Sequence, residues 1–176
     1  MKRLIKEISS FLGVPVPMET ERKFLIEYPD LAALGADPFC EKVEIEQVYL
    51  VSDASCERVR RRGCDGDSVF FHTEKRSVDA VRRIEIEERI TEDEYKALLR
   101  RADPSRGIIR KDRYCLVFGK KYFEIDVYPF WNDRAVMEIE LTDPDEEFEI
   151  PDRIKVIKDV TGDESYSNAS LAKMIK

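Results

Sequence analysis

Residues two apart along an extended chain share one face of a strand, so alternating apolar and polar positions mark a half-buried sheet. Over most of this sequence the alternation is between apolar residues and charges. It predicts strands at 19–27, 43–51, 55–62, 68–75, 82–90, 108–117, 121–128 and 135–142. Cys64-Asp65-Gly66-Asp67 and Gly119-Lys120 read as hairpin turns. Helical periodicity is confined to short stretches. Leu4, Ile5, Ile8, Phe11 and Leu12 share one face, and Gly13, Pro15 and Pro17 end that segment. Leu31 to Leu34 follows Pro29-Asp30 and is closed by Gly35. Thr91 and Glu94 form a capping box ahead of Tyr95, Leu98 and Leu99. From Asn168 the tail puts Leu171, Met174 and Ile175 on one stripe. The fold class expected is α+β: an antiparallel sheet of eight strands that curls or closes, with flanking helices. Residues 1–17 read as an N-terminal helical arm with a Pro-containing connector, and 18–176 as the main domain.

The charges sort by type. Glu19, Glu21 and Lys23 alternate in the first strand, and Arg58, Arg60 and Arg62 in the third. Phe71, Thr73 and Lys75 follow, then Arg83, Glu85, Glu87 and Arg89. Lys111 and Arg113, then Glu124, Asp126 and Tyr128, then Glu138 and Glu140 complete the set. Between them lie Phe24, Ile26, Val59, Phe70, Ile84, Ile86, Ile125, Val127, Met137 and Ile139. A solvated outer face with cross-strand ion pairs is one reading. The other turns the sheet inside out, with apolar residues packed outward and charges lining a lumen. Buried charges need partners or a ligand. A lumen with acidic and basic clusters calls for a ligand of both signs, and a polyphosphate with a divalent metal meets that need. Arg and Lys take phosphate oxygens, and carboxylates hold hard cations such as Mg²⁺ or Mn²⁺.

Composition narrows the function classes. Charged residues are 38% of the 176, against roughly 25% in an average domain. Lys+Arg number 30 and Asp+Glu 37, a net charge of -7 that argues against nonspecific nucleic-acid binding. Neither G-x-G-x-x-G nor the P-loop pattern occurs. Cys40, Cys56, Cys64 and Cys115 form no C-x-x-C, and with His72 as the single histidine they make a poor zinc set. They read as reduced structural thiols, and one histidine leaves little room for Ser-His or Cys-His catalysis. The longest apolar run, Tyr114 to Phe118, is too short to span a membrane. The opening residues carry charges where a leader would be apolar, so the expected location is cytoplasmic.

Glu19-Thr-Glu21-Arg-Lys23-Phe24 resembles the E-x-E-x-K signature that opens the CYTH domain, the triphosphate tunnel metalloenzyme family. Arg58-x-Arg60, Thr73-x-Lys75, Arg83-x-Glu85-x-Glu87, Lys111-x-Arg113 and Glu138-x-Glu140 follow in that family's order. Tyr166-Ser-Asn168 with Leu171-Ala172 is similar to its ending, so the likeness runs from about Met18 to the C-terminus. It implies a closed eight-stranded antiparallel tunnel that binds triphosphate. By the same resemblance Lys23, Arg58, Arg60, Lys75, Lys111 and Arg113, with Arg83 added, hold phosphates. Glu19, Glu21, Glu138 and Glu140 bind metal or position water. Glu85, Glu87 and Asp126 are further tunnel carboxylates.

The expected activity is metal-dependent hydrolysis of a phosphoanhydride, with Glu21, Glu19 and Lys75 as the catalytic candidates and Mg²⁺ or Mn²⁺ as cofactor. Inorganic tripolyphosphate is the first-choice substrate and an organic triphosphate the second, 5′-triphosphate ends being the one nucleic-acid contact foreseen. A cyclase forming cAMP from ATP and a non-catalytic polyphosphate- or nucleotide-binding regulator are the rivals. The arm reads either as a helix packed on its own domain or as a docking element, for a second copy or a fused or partnering ATPase. Trp131 and Phe130 read as a packed loop or a base-stacking pair, Tyr28 as a tunnel-mouth or turn residue, and Lys158 as a solvated lysine.

Overall fold

The computed structural model describes residues 20–53, 56–64, 66–77, 83–141 and 146–175. The expected arm at 1–17, and Glu19 with it, lies outside the described residues. Nine strands form one sheet: β1 (Thr20–Glu27), β2 (Cys40–Tyr49), β3 (Cys56–Cys64), β4 (Asp67–Ser77), β5 (Arg83–Ile90), β6 (Ile109–Phe118), β7 (Lys121–Val127), β8 (Arg134–Leu141) and β9 (Val156–Asp159). Every pairing is antiparallel, in the order β5-β4-β3-β2-β6-β7-β8-β1-β9. The closed eight-stranded barrel is therefore corrected. Among the described residues β5 pairs only with β4 and β9 only with β1, leaving an open sheet of nine strands. The extra strand is four residues long and exposed throughout, so no burial alternation announces it.

Among the described residues three short α-helices flank the sheet, each started by a side-chain cap. Asp30 accepts from the Ala33 amide at 3.0 Å to begin α1 (Leu31–Gly35). Both halves of the capping box between Thr91 and Glu94 are formed at α2 (Glu92–Leu98). Ser167 accepts from the Ser170 amide at 3.1 Å to begin α3 (Asn168–Met174). Between β6 and β7, Gly119 and Lys120 both take left-handed backbone (φ 57° and 64°), as a two-residue hairpin of the right twist requires.

The two faces of the sheet differ in chemistry. Outward, Phe24, Ile26, Phe123, Ile125, Met137 and Ile139 make a core under Leu34 of α1, Phe148 and Ile154. Full burial of such side chains contributes roughly 1.5–3 kcal/mol each. A second outer cluster joins Val48, Leu50 and Val59 to Tyr95 of α2. On the other face Gln47, Thr73, Lys111 and Asp126 are at most 5% exposed. Among the described helices only α3 packs there, against Tyr49, Ile109, Tyr128 and Val136 at one end. One seven-residue helix does not cover nine strands, yet Gln47, Thr73, Lys111 and Asp126 are buried.

The expected stripe on the last helix is corrected in part. Leu171 and Ala172 are buried, but Met174 is 75% exposed. The chain just before β6 fixes the helix end: the Gly107 amide donates to the Ala172 carbonyl at 2.6 Å. A Cβ on Gly107 would stand 2.5 Å from the Ile175 carbonyl oxygen. Gly107→Ala is therefore expected to unseat α3 and to lower stability by about 1–3 kcal/mol. Urea unfolding followed by Trp131 fluorescence, the indole packing beside α3, checks this.

Candidate active site on the concave face

Register brings the charges of distant segments together. Glu21 lies opposite Glu140 and Lys23 opposite Glu138, while Glu138 also faces Glu124. Arg113 lies opposite Asp126. Gln47 lies opposite Arg60 and Tyr49 opposite Arg58. Thr73 is flanked by Arg58 and Glu87. The backbones of Lys75 and Glu85 are paired, and Arg83 faces Ser77, but the side chains of Lys75, Arg83 and Glu85 lie outside the described residues.

Asp126 is the hub. Its carboxylate accepts from Arg113 Nε at 2.6 Å and Nη2 at 2.7 Å, and from Lys111 Nζ. Arg113 also reaches Glu124, and Glu138 at 3.2 Å. Lys23 Nζ sits 2.9 Å from Glu138 and 3.3 Å from Glu21. Burial disfavours the Asp126 carboxylate, yet Lys111 and Arg113 outweigh it and hold the group well below the usual carboxylate range. Lys111 shares that single carboxylate with a guanidinium, and burial pulls its ammonium down to about 8. Burial and the neighbouring Glu138 push the Glu21 carboxyl up, against the pull of Lys23.

The β3 side is different. Arg60 lies 3.9 Å from Glu87, too far for a hydrogen bond, and its Nε is buried with no partner. Glu87 accepts instead from the Thr73 hydroxyl at 2.9 Å. Burial and then the charge of Arg58 pull the Arg60 guanidinium down to about 10. Gln47 donates to the Tyr49 hydroxyl at 2.7 Å, but its Oε1 is also buried without a partner. A guanidinium with an unpartnered Nε therefore lies on β3, while carboxylates gather on β1 and β8.

Among the described residues the structure places Glu21, Lys23, Arg58, Arg60, Glu87, Lys111, Arg113, Asp126, Glu138 and Glu140 on this one face. Lys158 is solvated near Asp163, and Tyr28 is 39% exposed at the end of β1. Phe130 and Trp131 pack with Tyr128 ring to ring, as a loop beside α3. Gln47 belongs to the charged face without having been singled out, and Glu124, part of the alternating charged set, was given no role of its own. Gln47 sits in β2, whose acids Glu44 and Glu46 point outward, so only its pairing with Arg60 reveals it. Glu124 shares a strand face with Asp126, and that two-residue spacing was its signal.

The sequence matches no protein-family model and no curated protein. Its fold, with the charged motifs in order on one buried face, is that of a CYTH-like, or triphosphate tunnel metalloenzyme-like, domain. The chain is similar to the solved structure of the inorganic triphosphatase NE1496, with 26% identity and a TM-score of 0.59 over 89% of this chain and 95% of that one. Another structure of NE1496 gives a TM-score of 0.61 at 26% identity, over 90% of this chain and 100% of the other. The PH1819 protein from Pyrococcus horikoshii OT3, 20% identical, shares the fold with a TM-score of 0.51 over 72% of this chain and 81% of its own. No helix among the described residues is long and apolar enough to cross a membrane.

Proposed function

We propose that this chain hydrolyses the phosphoanhydride of a triphosphate on its concave face, with inorganic tripolyphosphate as the first substrate and Mg²⁺ or Mn²⁺ as cofactor. The observation that carries the reading is the buried guanidinium of Arg60, its Nε without a partner beside Arg58, on the sheet face that also carries a separate carboxylate group on β1 and β8. Buried cations of this kind call for an anion of high charge. The similarity to an inorganic triphosphatase supports the same substrate class.

The carboxylates suit a hard divalent cation. Glu21 is pushed toward its neutral form by burial and by Glu138, and a cation beside the pair would relieve both. Among the described residues no three acidic, thiol or imidazole side chains already form a metal cage. Glu21, Glu138 and Glu140 would hold it, with Glu19 from the same motif. Once bound, the metal supplies charge neutralisation at the phosphate oxygens.

The chain's own groups do the rest. Arg58 and Arg60 receive phosphate oxygens in fork geometry, and Lys75 adds a point charge from the neighbouring strand. Lys111 and Arg113 are already engaged by Asp126, and they act as a fixed positive field behind the phosphates rather than as loose ligands. Lys23 orients Glu21 and Glu138. Glu21, half open to solvent at 48%, positions the attacking water and takes its proton.

Phosphate release from tripolyphosphate, with Mg²⁺ and Mn²⁺ in separate assays and with both chelated, tests the reading. Glu21→Ala is expected to fold and to lose about 10²–10⁴-fold in turnover. Undiminished hydrolysis by that variant would remove Glu21 from the mechanism. Product analysis with ATP separates phosphate release from cAMP formation, and tight binding without any release would mark a regulator instead.

A further inference from the structure

The cations of the concave face differ in what stands across the ladder from them. Arg113 lies opposite Asp126, and its Nε donates to that carboxylate at 2.6 Å. Lys23 lies opposite Glu138 and reaches it at 2.9 Å. Two arginines of β3 have uncharged neighbours on both sides. Arg60 lies between Gln47 and Phe71, and Arg58 between Tyr49 and Thr73. Residues directly opposite in an antiparallel pair carry their side chains on one face, with Cβ atoms about 5 Å apart. Gln47 therefore holds toward Arg60 the place that Asp126 holds toward Arg113, with an amide where the other pair has a carboxylate.

Each member of the Gln47–Arg60 pair has one unmatched atom. Gln47 is 0% exposed, and its Nε2 donates to the Tyr49 hydroxyl at 2.7 Å. Its Oε1 is a buried acceptor without a donor, and Arg60 Nε is a buried donor without an acceptor. An unmatched buried polar atom is costly, and here two of opposite kind stand on paired residues. A carboxylate at position 47 would satisfy Arg60 but neutralise it, as Asp126 does for Arg113. A carboxamide takes one N–H and leaves the guanidinium its charge. The two terminal nitrogens then remain for an incoming anion.

We propose that Gln47 is the positioning residue of Arg60. Its Oε1 accepts the Arg60 Nε–H as phosphate oxygens engage the two terminal nitrogens, and its neutrality keeps the cation available to them. The proposal rests on the phosphate-binding reading above. The test is steady-state hydrolysis of tripolyphosphate, with thermal unfolding of each protein, for the wild type, Gln47→Met, Gln47→Glu, Arg60→Met and the Gln47→Met/Arg60→Met double variant. Gln47→Met is expected to lower kcat/KM about tenfold, the scale for a hydrogen bond to a charged group. In the Arg60→Met background the same change should have no further effect, because the group it positions is gone. Gln47→Glu is expected to lower kcat/KM about 10²-fold while Tm stays the same or rises, since the new carboxylate pairs with the buried cation. Equal losses from Gln47→Met in both backgrounds would mark a packing role and overturn the proposal. So would wild-type kcat/KM in either single Gln47 variant, with the phosphate reading left intact. Should Gln47→Met fail to fold, Gln47→Glu alone decides. A wild type that neither binds nor hydrolyses tripolyphosphate would overturn both.

Discussion

Replacing Asp126 with Asn is expected to remove about 3–5 kcal/mol of folding stability, seen as a lower urea midpoint at pH 7. Asn keeps the volume but strips the one charge shared by Lys111 and Arg113, whose side chains are 2% and 10% exposed. Lys111 then faces a neutral amide, and Arg113 keeps only Glu124 and Glu138. The pH dependence follows from the lowered value of Asp126. A carboxylate depressed by folding contributes fully above its unfolded value near 4 and loses that contribution as pH falls toward the folded one. The share of the gap due to Asp126 should thus close in acid, and Lys111, already down to about 8 and lower still without Asp126, should narrow the gap again as pH rises toward 8. Changing Lys111 and Arg113 to Met together with Asp126→Asn should restore much of the loss, since apolar groups of like volume often replace a buried ion cluster at no cost. A midpoint unmoved by Asp126→Asn would show that the hub contributes nothing to the fold.

Arg60→Met is expected to move stability and activity in opposite directions. Arg60 is buried beside Arg58, lacks a partner at Nε and meets its nearest carboxylate only at 3.9 Å. Removing such a charge should leave Tm unchanged or raise it, by an amount on the order of 1 kcal/mol. Turnover of tripolyphosphate should fall about 10²–10³-fold, the scale for losing one preorganised donor to a developing charge. Thermal unfolding and phosphate release on the same preparation decide the matter. A variant both destabilised and fully active would refute the assignment of Arg60 as an anion receptor. The contrast with Asp126 is the useful part, because both residues lie on one face and only their compensation differs.

Most of the sheet was legible because its alternation is unusually pure. In β6 and β7, Arg113 and Asp126 fall on one face, with Tyr114 and Ile125 on the other, and the pairing follows from the Gly119-Lys120 turn. In β2 the same rule gives less help. Ile45, Gln47 and Tyr49 occupy the concave face while Glu44 and Glu46 point outward, so polarity there does not track direction. β9 escaped because four exposed residues bury nothing and leave no periodic trace. Openness of the sheet is likewise a long-range property. Whether β5 finds a second neighbour depends on curvature and register, which local patterns do not encode. The compensation of each charge was out of reach for the same reason. Arg58-x-Arg60 and Lys111-x-Arg113 look alike as motifs, and only the placement of Asp126 separates the pair it binds from an Arg60 whose Nε is left without a partner.

Leu171 and Ala172, seated on Tyr49, Ile109, Tyr128 and Val136, give the cleft a floor. If phosphates are held above that floor as proposed, the portion of substrate farthest from it leaves first, and the order of product release follows architecture and not relative affinity.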